Sequence, residues 1–236
     1  MSDEQIIAAL EEVAVFIHNA ADLQAREFSS AVAANFCLTK RLIDLVYRHK
    51  PELRFIYISS MSMLEPDGTY KATEHMSTYA FSKYMGEVYC RKHPLAALSC
   101  VRFGTLFYQD PLKDGLSGLV YQAVTKRAVA IYNNGEARRN FIPLHAAVDQ
   151  LHRLTGSAVL PQIANLVSDK SVSFKEVVAV LNNKLPDLQV INKVSAITSA
   201  VISEFTEDCF MPSRLDLEEE IDHYIDKIRK DEGIGV

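Results

Sequence analysis

The chain has 236 residues, of which 48% are apolar and 23% charged, a balance typical of folded globular proteins. Disordered, collagen-like and low-complexity classes are therefore excluded. The net charge of −5 offers no basic field, so neither a nucleic acid nor a membrane surface is expected as a partner. No apolar run approaches the length of a membrane span, and the N-terminus is acidic. We expect a cytoplasmic protein with reduced thiols and no metal site, because the four cysteines lack metal-ligand spacing.

The first half of the chain alternates between helical patterns and short strands that are apolar throughout. Such strands, separated by helices, predict a parallel sheet with helices on both faces. In chain order, the sequence predicts a helix over 3–12, a strand over 13–17, a helix over 24–49, a strand over 55–58, a helix from 77 or 78 to 92, and a strand over 98–103.

The second half has a more mixed pattern, which favours a smaller α+β lobe. We place the boundary between the two domains near residue 110, so that residues 1–110 form the sheet domain and residues 111–236 form mainly the substrate-binding lobe, with some elements that return to the sheet domain. The predicted elements are a helix over 116–127, strands over 128–132 and 141–144, a helix over 145–155, a strand over 163–167, a helix over 173–185 and a helix over 216–230.

The first chemical signal is a tyrosine four residues before a lysine. On a helix, Tyr79 and Lys83 project from the same face. A phenol serves as an acid or base near neutral pH only if its pKa falls from about 10 toward 7, which corresponds to about 4 kcal/mol. One ammonium at about 4 Å supplies that much. The spacing also arises by chance, so an ordinary half-exposed helix face is the alternative.

Polar and small side chains follow the predicted strands at their carboxyl ends, where open parallel sheets bind ligands. Ser60 ends the second strand, and its hydroxyl could donate to a substrate oxygen. Its alternative role is to close a local turn. The first predicted strand is followed by His18 and then by Ala20 and Ala21, which are small enough for a flat ligand to approach. For His18 we favour a buried, hydrogen-bonded imidazole.

Several segments, in the right order over residues 5 to 230, resemble the extended short-chain dehydrogenase/reductases of the epimerase/dehydratase branch. They comprise the strand end Phe16-Ile17-His18-Asn19-Ala20-Ala21, Asn35 in a helix, the strand Phe55-Ile56-Tyr57-Ile58-Ser59-Ser60, the YxxxK of Tyr79 and Lys83, the strand end Val101-Arg102-Phe103-Gly104-Thr105, the segment Arg139-Asn140-Phe141-Ile142, and residues 163–181. The resemblance implies a Rossmann-like parallel sheet flanked by helices.

The resemblance also implies roles for individual residues. Tyr79 would be the catalytic acid or base, Lys83 would lower its pKa and hold the nicotinamide ribose, and Ser60 would bond the reacting oxygen. NAD or NADP is the implied cofactor, and a nucleotide sugar or a related keto or hydroxy compound is the implied substrate. The implied cofactor-binding residues are Ala20, Ala21, Ser59, Tyr79, Lys83 and Gly104, and the implied substrate-binding residues are Met61, Thr105 and Arg139.

One departure from the family pattern concerns the cofactor. The nine glycines form no GxGxxG or GxxGxxG motif, so the phosphate-binding turn is absent from this sequence. We therefore expect weak or no binding of NAD(H) or NADP(H) by this chain alone, and a Rossmann-like domain that lacks its first strands. The alternative is a truncated pseudoenzyme that acts as a binding or oligomerisation module.

The same departure bears on assembly. The apolar strand over 13–17 would become an unprotected sheet edge, which favours pairing. The predicted helix that carries Tyr79 also has an apolar face with Phe81 and Met85. In relatives this helix packs into an intersubunit four-helix bundle, so we expect a homodimer formed through it. The rival expectation is a monomer whose first helix, over 3–12, folds across the strand edge.

Overall fold

The computed structural model describes residues 1–23, 25, 27–195 and 208–234. Its helices are α1 (Asp3–Leu10), α2 (Phe28–Ala31), α3 (Leu38–His49), α4 (Thr78–Lys92), α5 (Gly115–Lys126), α6 (Leu144–Thr155), α7 (Phe174–Lys184) and α8 (Leu217–Glu232). Its strands are β1 (Val15–His18), β2 (Arg54–Ile58), β3 (Leu98–Phe103), β4 (Thr105–Phe107), β5 (Ala128–Tyr132), β6 (Arg138–Arg139), β7 (Phe141–Pro143), β8 (Ile163–Leu166), β9 (Val172–Ser173) and β10 (Gln189–Lys193).

The described chain divides into two compact units. The first comprises residues 1–103, 150–166 and 208–210, and the second comprises residues 104–149, 167–195 and 211–234. The first unit is built on a parallel sheet with the strand order β1-β2-β3-β8. The predicted α/β class, with a Rossmann-like parallel sheet and flanking helices, is confirmed.

Alternating side chains of the sheet enter two separate cores, as the period of two along a strand requires. Phe55 and Tyr57 of β2 pack with residues of α1, α3 and α4 on one face. Ile56 and Ile58 pack on the other face with Leu154 of α6 and with residues of β8. Because both faces are covered, β2 and β3 are apolar along most of their length.

β1 lies at one edge of this sheet, where it pairs with β2 alone among the described strands. Ile17, on the face opposite Phe16, is 42% exposed. Helix α1 buries Ile6 and Leu10 in the core that contains residues of α3 and against which Phe16 of β1 packs. Strand β1 begins at Val15, two residues after the start of the predicted range of 13–17, and ends at His18, one residue after its end.

The second unit consists of small strand pairs and the helices α5, α7 and α8. Strands β5 and β10 pair in parallel, as do β4 and β7, while β6 and β9 are antiparallel. Apolar residues of α5, α7 and α8 form its core around Phe107, Phe141 and Tyr224. Strand β10 was not predicted, because its sequence has only the adjacent apolar residues Val190 and Ile191 and no alternating or continuous apolar pattern; all of its side chains are exposed.

The prediction of one continuous α-helix over 24–49 is wrong in its start and in its continuity. Helical structure starts at Phe28, and α2 and α3 are joined by a π-helical turn, Val32–Cys37. Gln24, where the predicted helix starts, lies outside the described residues. In the part of the chain that is described, no helix combines the length and apolar character needed to cross a membrane.

Candidate active site

The chain leaves β2 through two serines whose hydroxyls have different partners. The Ser59 Oγ donates to the Glu87 carboxylate at 2.6 Å. Ser60 caps the short 3-10 turn Met61–Met63, and its Oγ accepts from the backbone N of Ser62 at 3.1 Å. Ser60 remains half-buried at the carboxyl edge of the sheet, whereas the Met61 side chain is 7% exposed.

Helix α4 carries the tyrosine and the lysine. Ser77 caps its N-terminus by accepting from the backbone N of Ala80 at 3.2 Å. Tyr79 in the first turn is half-buried, and Lys83 one turn later is 2% exposed. The four-residue spacing places both on one face of the helix.

The Lys83 ammonium lies over the ring of Tyr57, 4.4 Å from its centroid. Burial lowers the pKa of Lys83 to about 8, a shift that the neighbouring Cys90 and Cys100 and the Glu87 carboxylate oppose. The ammonium form therefore still predominates at neutral pH, within a cation–π contact. A buried positive charge one turn beyond Tyr79 is the feature that a phenol needs to ionise more easily.

Gly86 allows α4 to lie this close to the sheet. A Cβ at this position would lie 2.4 Å from the hydroxyl oxygen of Tyr57. That hydroxyl donates to the backbone carbonyl of Lys83 at 3.4 Å. Burial raises the pKa of Tyr57 well above its usual value, and nearby groups, including Tyr79, add to the effect. Tyr57 therefore stays neutral, and its ring makes the cation–π contact with the Lys83 ammonium.

His18 at the end of β1 completes this buried cluster. Its ring stacks on Tyr57 with centroids 5.8 Å apart, and its Nε2 bonds the Thr39 hydroxyl at 2.8 Å. Burial, together with the charge of Lys83, lowers the pKa of His18 to about 4. The expectation of a buried, hydrogen-bonded imidazole is confirmed.

Asn35 links three segments around the same helix. It lies in the π-helical turn and is fully buried. Its Oδ1 accepts from the backbone N of Asp22 at 2.6 Å, and its Nδ2 donates to the Ser82 hydroxyl at 2.9 Å. Ser82 in turn donates to the backbone carbonyl of Tyr79 at 2.8 Å. Asn35 therefore ties the segment after β1 to the first turn of α4.

Three of the predicted site residues, Gly104, Thr105 and Arg139, belong to the second unit. A Cβ at Gly104 would lie 2.7 Å from the carbonyl oxygen of Asn140, so close packing accounts for this glycine. Thr105 donates its backbone N–H to the same carbonyl at 2.7 Å. Arg139 in β6 is half-buried, and burial lowers its pKa.

Three of the predicted cofactor-binding residues of the first unit lie after β1 and on α4. Ala20 is exposed and Ala21 half-buried, directly after β1, and the Lys83 side chain is 2% exposed. NAD or NADP, the cofactor that the sequence resemblance implies, would supply the hydride acceptor if it were bound. The sequence offers no glycine-rich turn for the pyrophosphate. Among the described residues, no group of histidine, cysteine and acidic side chains has the arrangement of a metal site.

These features define a class: a Rossmann-like α/β protein with polar residues at the carboxyl ends of its strands. The model of the NAD-dependent epimerase/dehydratase family matches residues 2–158, and the chain belongs to that family. No curated protein matches the sequence significantly.

Several solved structures share the fold. The protein MoeE5, solved with UDP-glucose and NAD, is 20% identical with a TM-score of 0.74, over 96% of this chain and 82% of its own. UDP-glucose 4-epimerase of Thermotoga maritima is 16% identical with a TM-score of 0.75, over 98% and 82% of the two chains. L-threonine dehydrogenase of Clostridium difficile is 16% identical with a TM-score of 0.76, over 99% and 82%. At these identities the likeness establishes the fold alone.

Proposed function

We propose that this chain carries the proton-transfer groups of a NAD(P)-dependent epimerase/dehydratase-type reaction on a nucleotide sugar or a related hydroxy or keto compound. Family membership supports the reaction class, and the nucleotide sugars named with similar structures support the substrate class. The observation that carries the proposal is the buried ammonium of Lys83, one turn beyond Tyr79 on α4. A lysine on an ordinary half-exposed helix face would instead keep its charge in water.

In this proposal each polar group has one task. Tyr79 exchanges a proton with the substrate hydroxyl, and the Lys83 ammonium favours its phenolate form. Ser60 donates a hydrogen bond to the reacting oxygen. Arg139, whose guanidinium suits bidentate recognition, binds a substrate phosphate, with Met61 and Thr105 as further substrate contacts. Ala20, Ala21 and Gly104 would line the cofactor, whereas the Ser59 hydroxyl is already bound to the Glu87 carboxylate.

The proposal is tested by incubating the protein with a panel of nucleotide sugars and millimolar NAD, and by separating the products chromatographically. Tyr79→Phe is expected to lower the turnover by about 10²-fold or more, because loss of a positioned proton-transfer group has that effect. Tyr84→Phe is the matched control, since Tyr84 lies on the same helix and contacts the Tyr70 and Phe81 rings. Equal turnover of Tyr79→Phe and the unmodified protein would contradict the proposal.

We expect weak binding of the free cofactor by this chain alone. A pyrophosphate cradle contributes several charge-assisted hydrogen bonds of about 1.5–3 kcal/mol each, and the sequence lacks the glycine-rich turn that provides them. Loss of two such bonds weakens binding by more than about a hundredfold. Calorimetric titration with NAD(H) and NADP(H) measures this directly, and a low-micromolar dissociation constant for either one would refute it.

The missing turn also favours a second candidate function, a binding or oligomerisation module without catalysis.

Both functions are compatible with a homodimer formed through α4, which we propose together with a cytoplasmic location. The apolar residues Phe81, Tyr84, Met85 and Val88 of α4 are all half-buried and form its outward face. Dimerisation without turnover of any substrate in the panel would favour the module.

A further inference from the structure

A buried ion pair lies one helical turn beyond Lys83. Glu87 of α4 is 0% exposed, and Arg102 of β3 is 4% exposed. The Arg102 Nε donates to Glu87 Oε2 at 3.0 Å, and its Nη2 donates to Oε1. Burial raises the pKa of the Glu87 carboxyl, but the bonds and charge of Arg102 outweigh burial, so the net pKa is lowered. The carboxylate is therefore ionised.

Two hydroxyls use the remaining acceptor sites of this carboxylate. The Ser59 Oγ donates to Oε2 at 2.6 Å, and the Tyr70 hydroxyl donates to Oε1 at 2.5 Å. With the two bonds from Arg102, these four donors match the acceptor sites of an ionised carboxylate. Glu87 thereby joins α4 to β3, to the end of β2 and to the segment that contains Tyr70.

The segment that contains Tyr70 is a hairpin, residues 63–71, which follows the serines of β2. Leu64 and Tyr70 form an antiparallel bridge, and the turn between them contains Gly68 with a φ of +85°. The Tyr70 hydroxyl also accepts from Arg102 at 2.8 Å and from Arg91 at 2.9 Å. The hairpin is therefore attached to the ion pair through a single phenol.

The spacing relates this network to the candidate active site. Tyr79, Lys83 and Glu87 follow one another at intervals of four and share one face of α4. Ser59, which Glu87 binds, immediately precedes Ser60. The hydrogen bond between Ser59 and Glu87 thus links the side chain at the end of β2 to α4, beside the backbone bond from Ser59 N to the Val101 carbonyl of β3. Replacing a buried ion pair with apolar residues is often neutral or stabilising, so a contribution to stability does not by itself account for this pair.

We propose that Glu87 is a positioning residue that holds Ser60 in line with Tyr79 and Lys83 by binding the Ser59 hydroxyl. The hydrogen bond from the Tyr70 hydroxyl attaches the hairpin of residues 63–71 to the same carboxylate. The inference rests on the proposed function, because Ser60, Tyr79 and Lys83 are the groups to be aligned.

The test removes hydroxyls rather than the carboxylate, because Glu87→Gln leaves the Arg102 charge unpaired in the core and can prevent folding. Ser59→Ala and Tyr70→Phe each delete one bond to Glu87. Ser99→Ala is the matched control, since Ser99 of β3 is fully buried and its hydroxyl has no hydrogen-bond partner among the described residues. Ser59→Thr retains the hydroxyl.

The first measurement is amide hydrogen exchange followed by mass spectrometry, which needs no activity. Loss of a hydrogen bond to a charged group is expected to speed exchange about tenfold or more, in residues 58–63 for Ser59→Ala and in residues 63–71 for Tyr70→Phe. Ser99→Ala should leave both segments unchanged. If Ser59→Ala and Ser99→Ala exchange alike over residues 58–63, the positioning role is refuted even if the unmodified protein turns over no substrate.

The second measurement is steady-state kinetics with any nucleotide sugar that the unmodified protein turns over. Ser59→Ala should lower kcat about tenfold or more with KM for the sugar and for NAD within about twofold, because misalignment affects the reacting groups rather than binding. Ser59→Thr should restore kcat. A Ser59→Ala variant that raises KM for NAD at constant kcat would assign Ser59 to the cofactor and overturn the inference.

Discussion

Lys83 and His18 both contact the ring of Tyr57, and burial lowers the pKa of each. For Lys83 the shift from 10.5 to about 8 corresponds to about 3 kcal/mol, partly offset by about 1 kcal/mol from the cation–π contact. We therefore predict that Lys83→Met stabilises the protein by about 2 kcal/mol at pH 7. Urea denaturation of both proteins measures the difference.

The control is the pH dependence of the difference in stability between Lys83→Met and the unmodified protein. Between pH 8 and pH 10.5 the unfolded chain still holds the Lys83 proton that the folded protein has lost, so the stability of the unmodified protein rises with pH. The advantage of Lys83→Met should therefore shrink from pH 7 to pH 10. An advantage of equal size at both values would show that desolvation of Lys83 is not its cause.

His18 is predicted to make the stability of the folded protein depend on pH in the acidic range. Its pKa is about 4 in the folded protein against 6.5 in the unfolded chain, so the unfolded chain binds the extra proton between these values. The stability contributed by His18 is complete above pH 6.5 and is lost as the pH falls through 4, by up to about 3 kcal/mol. His18→Gln should lose less stability than the unmodified protein between pH 6.5 and pH 4.

At the scale of single elements, the close contact between α4 and β2 depends on Gly86. Gly86→Ala is expected to destabilise the protein by about 1–3 kcal/mol, because its Cβ would overlap the buried Tyr57 hydroxyl. Gly118→Ala in α5 is the control, since its Cβ would have an ordinary contact of 3.5 Å with the Pro111 carbonyl. That variant should be neutral or gain up to about 1 kcal/mol of helix propensity. Thermal or urea denaturation compares the two, and equal effects would contradict the packing argument.

At the scale of the whole molecule, the outward face of α4 leads us to predict a homodimer. Phe81 and Met85 are half-buried, and the Phe81 ring contacts Phe28, which is itself 55% exposed. Apolar patches of this kind are rarely left in water. Light scattering at micromolar concentration should give twice the chain mass of 26.4 kDa.

Substitution on that face should separate the subunits. Phe81→Asp or Met85→Asp is expected to give a folded monomer near 26.4 kDa, because a charge is costly in an apolar interface. Leu112→Asp, at a side chain that is 92% exposed in the second unit, introduces the same charge and should remain dimeric. A single monomeric species of the unmodified protein would refute the assembly argument.

The sequence by itself determined the parallel sheet and the YxxxK pair, because apolar strands and a four-residue helical spacing are local patterns. It could not locate β10, whose sequence has no such pattern, nor the π-helical turn that brings Asn35 inward. Only the tertiary structure decided that Ser59 and Tyr70 meet Glu87, since these residues come from separate segments and hydrogen bonds between them have no signature in the chain. The tertiary structure likewise decided that Lys83 is buried against Tyr57, because burial depends on the elements that pack around a helix.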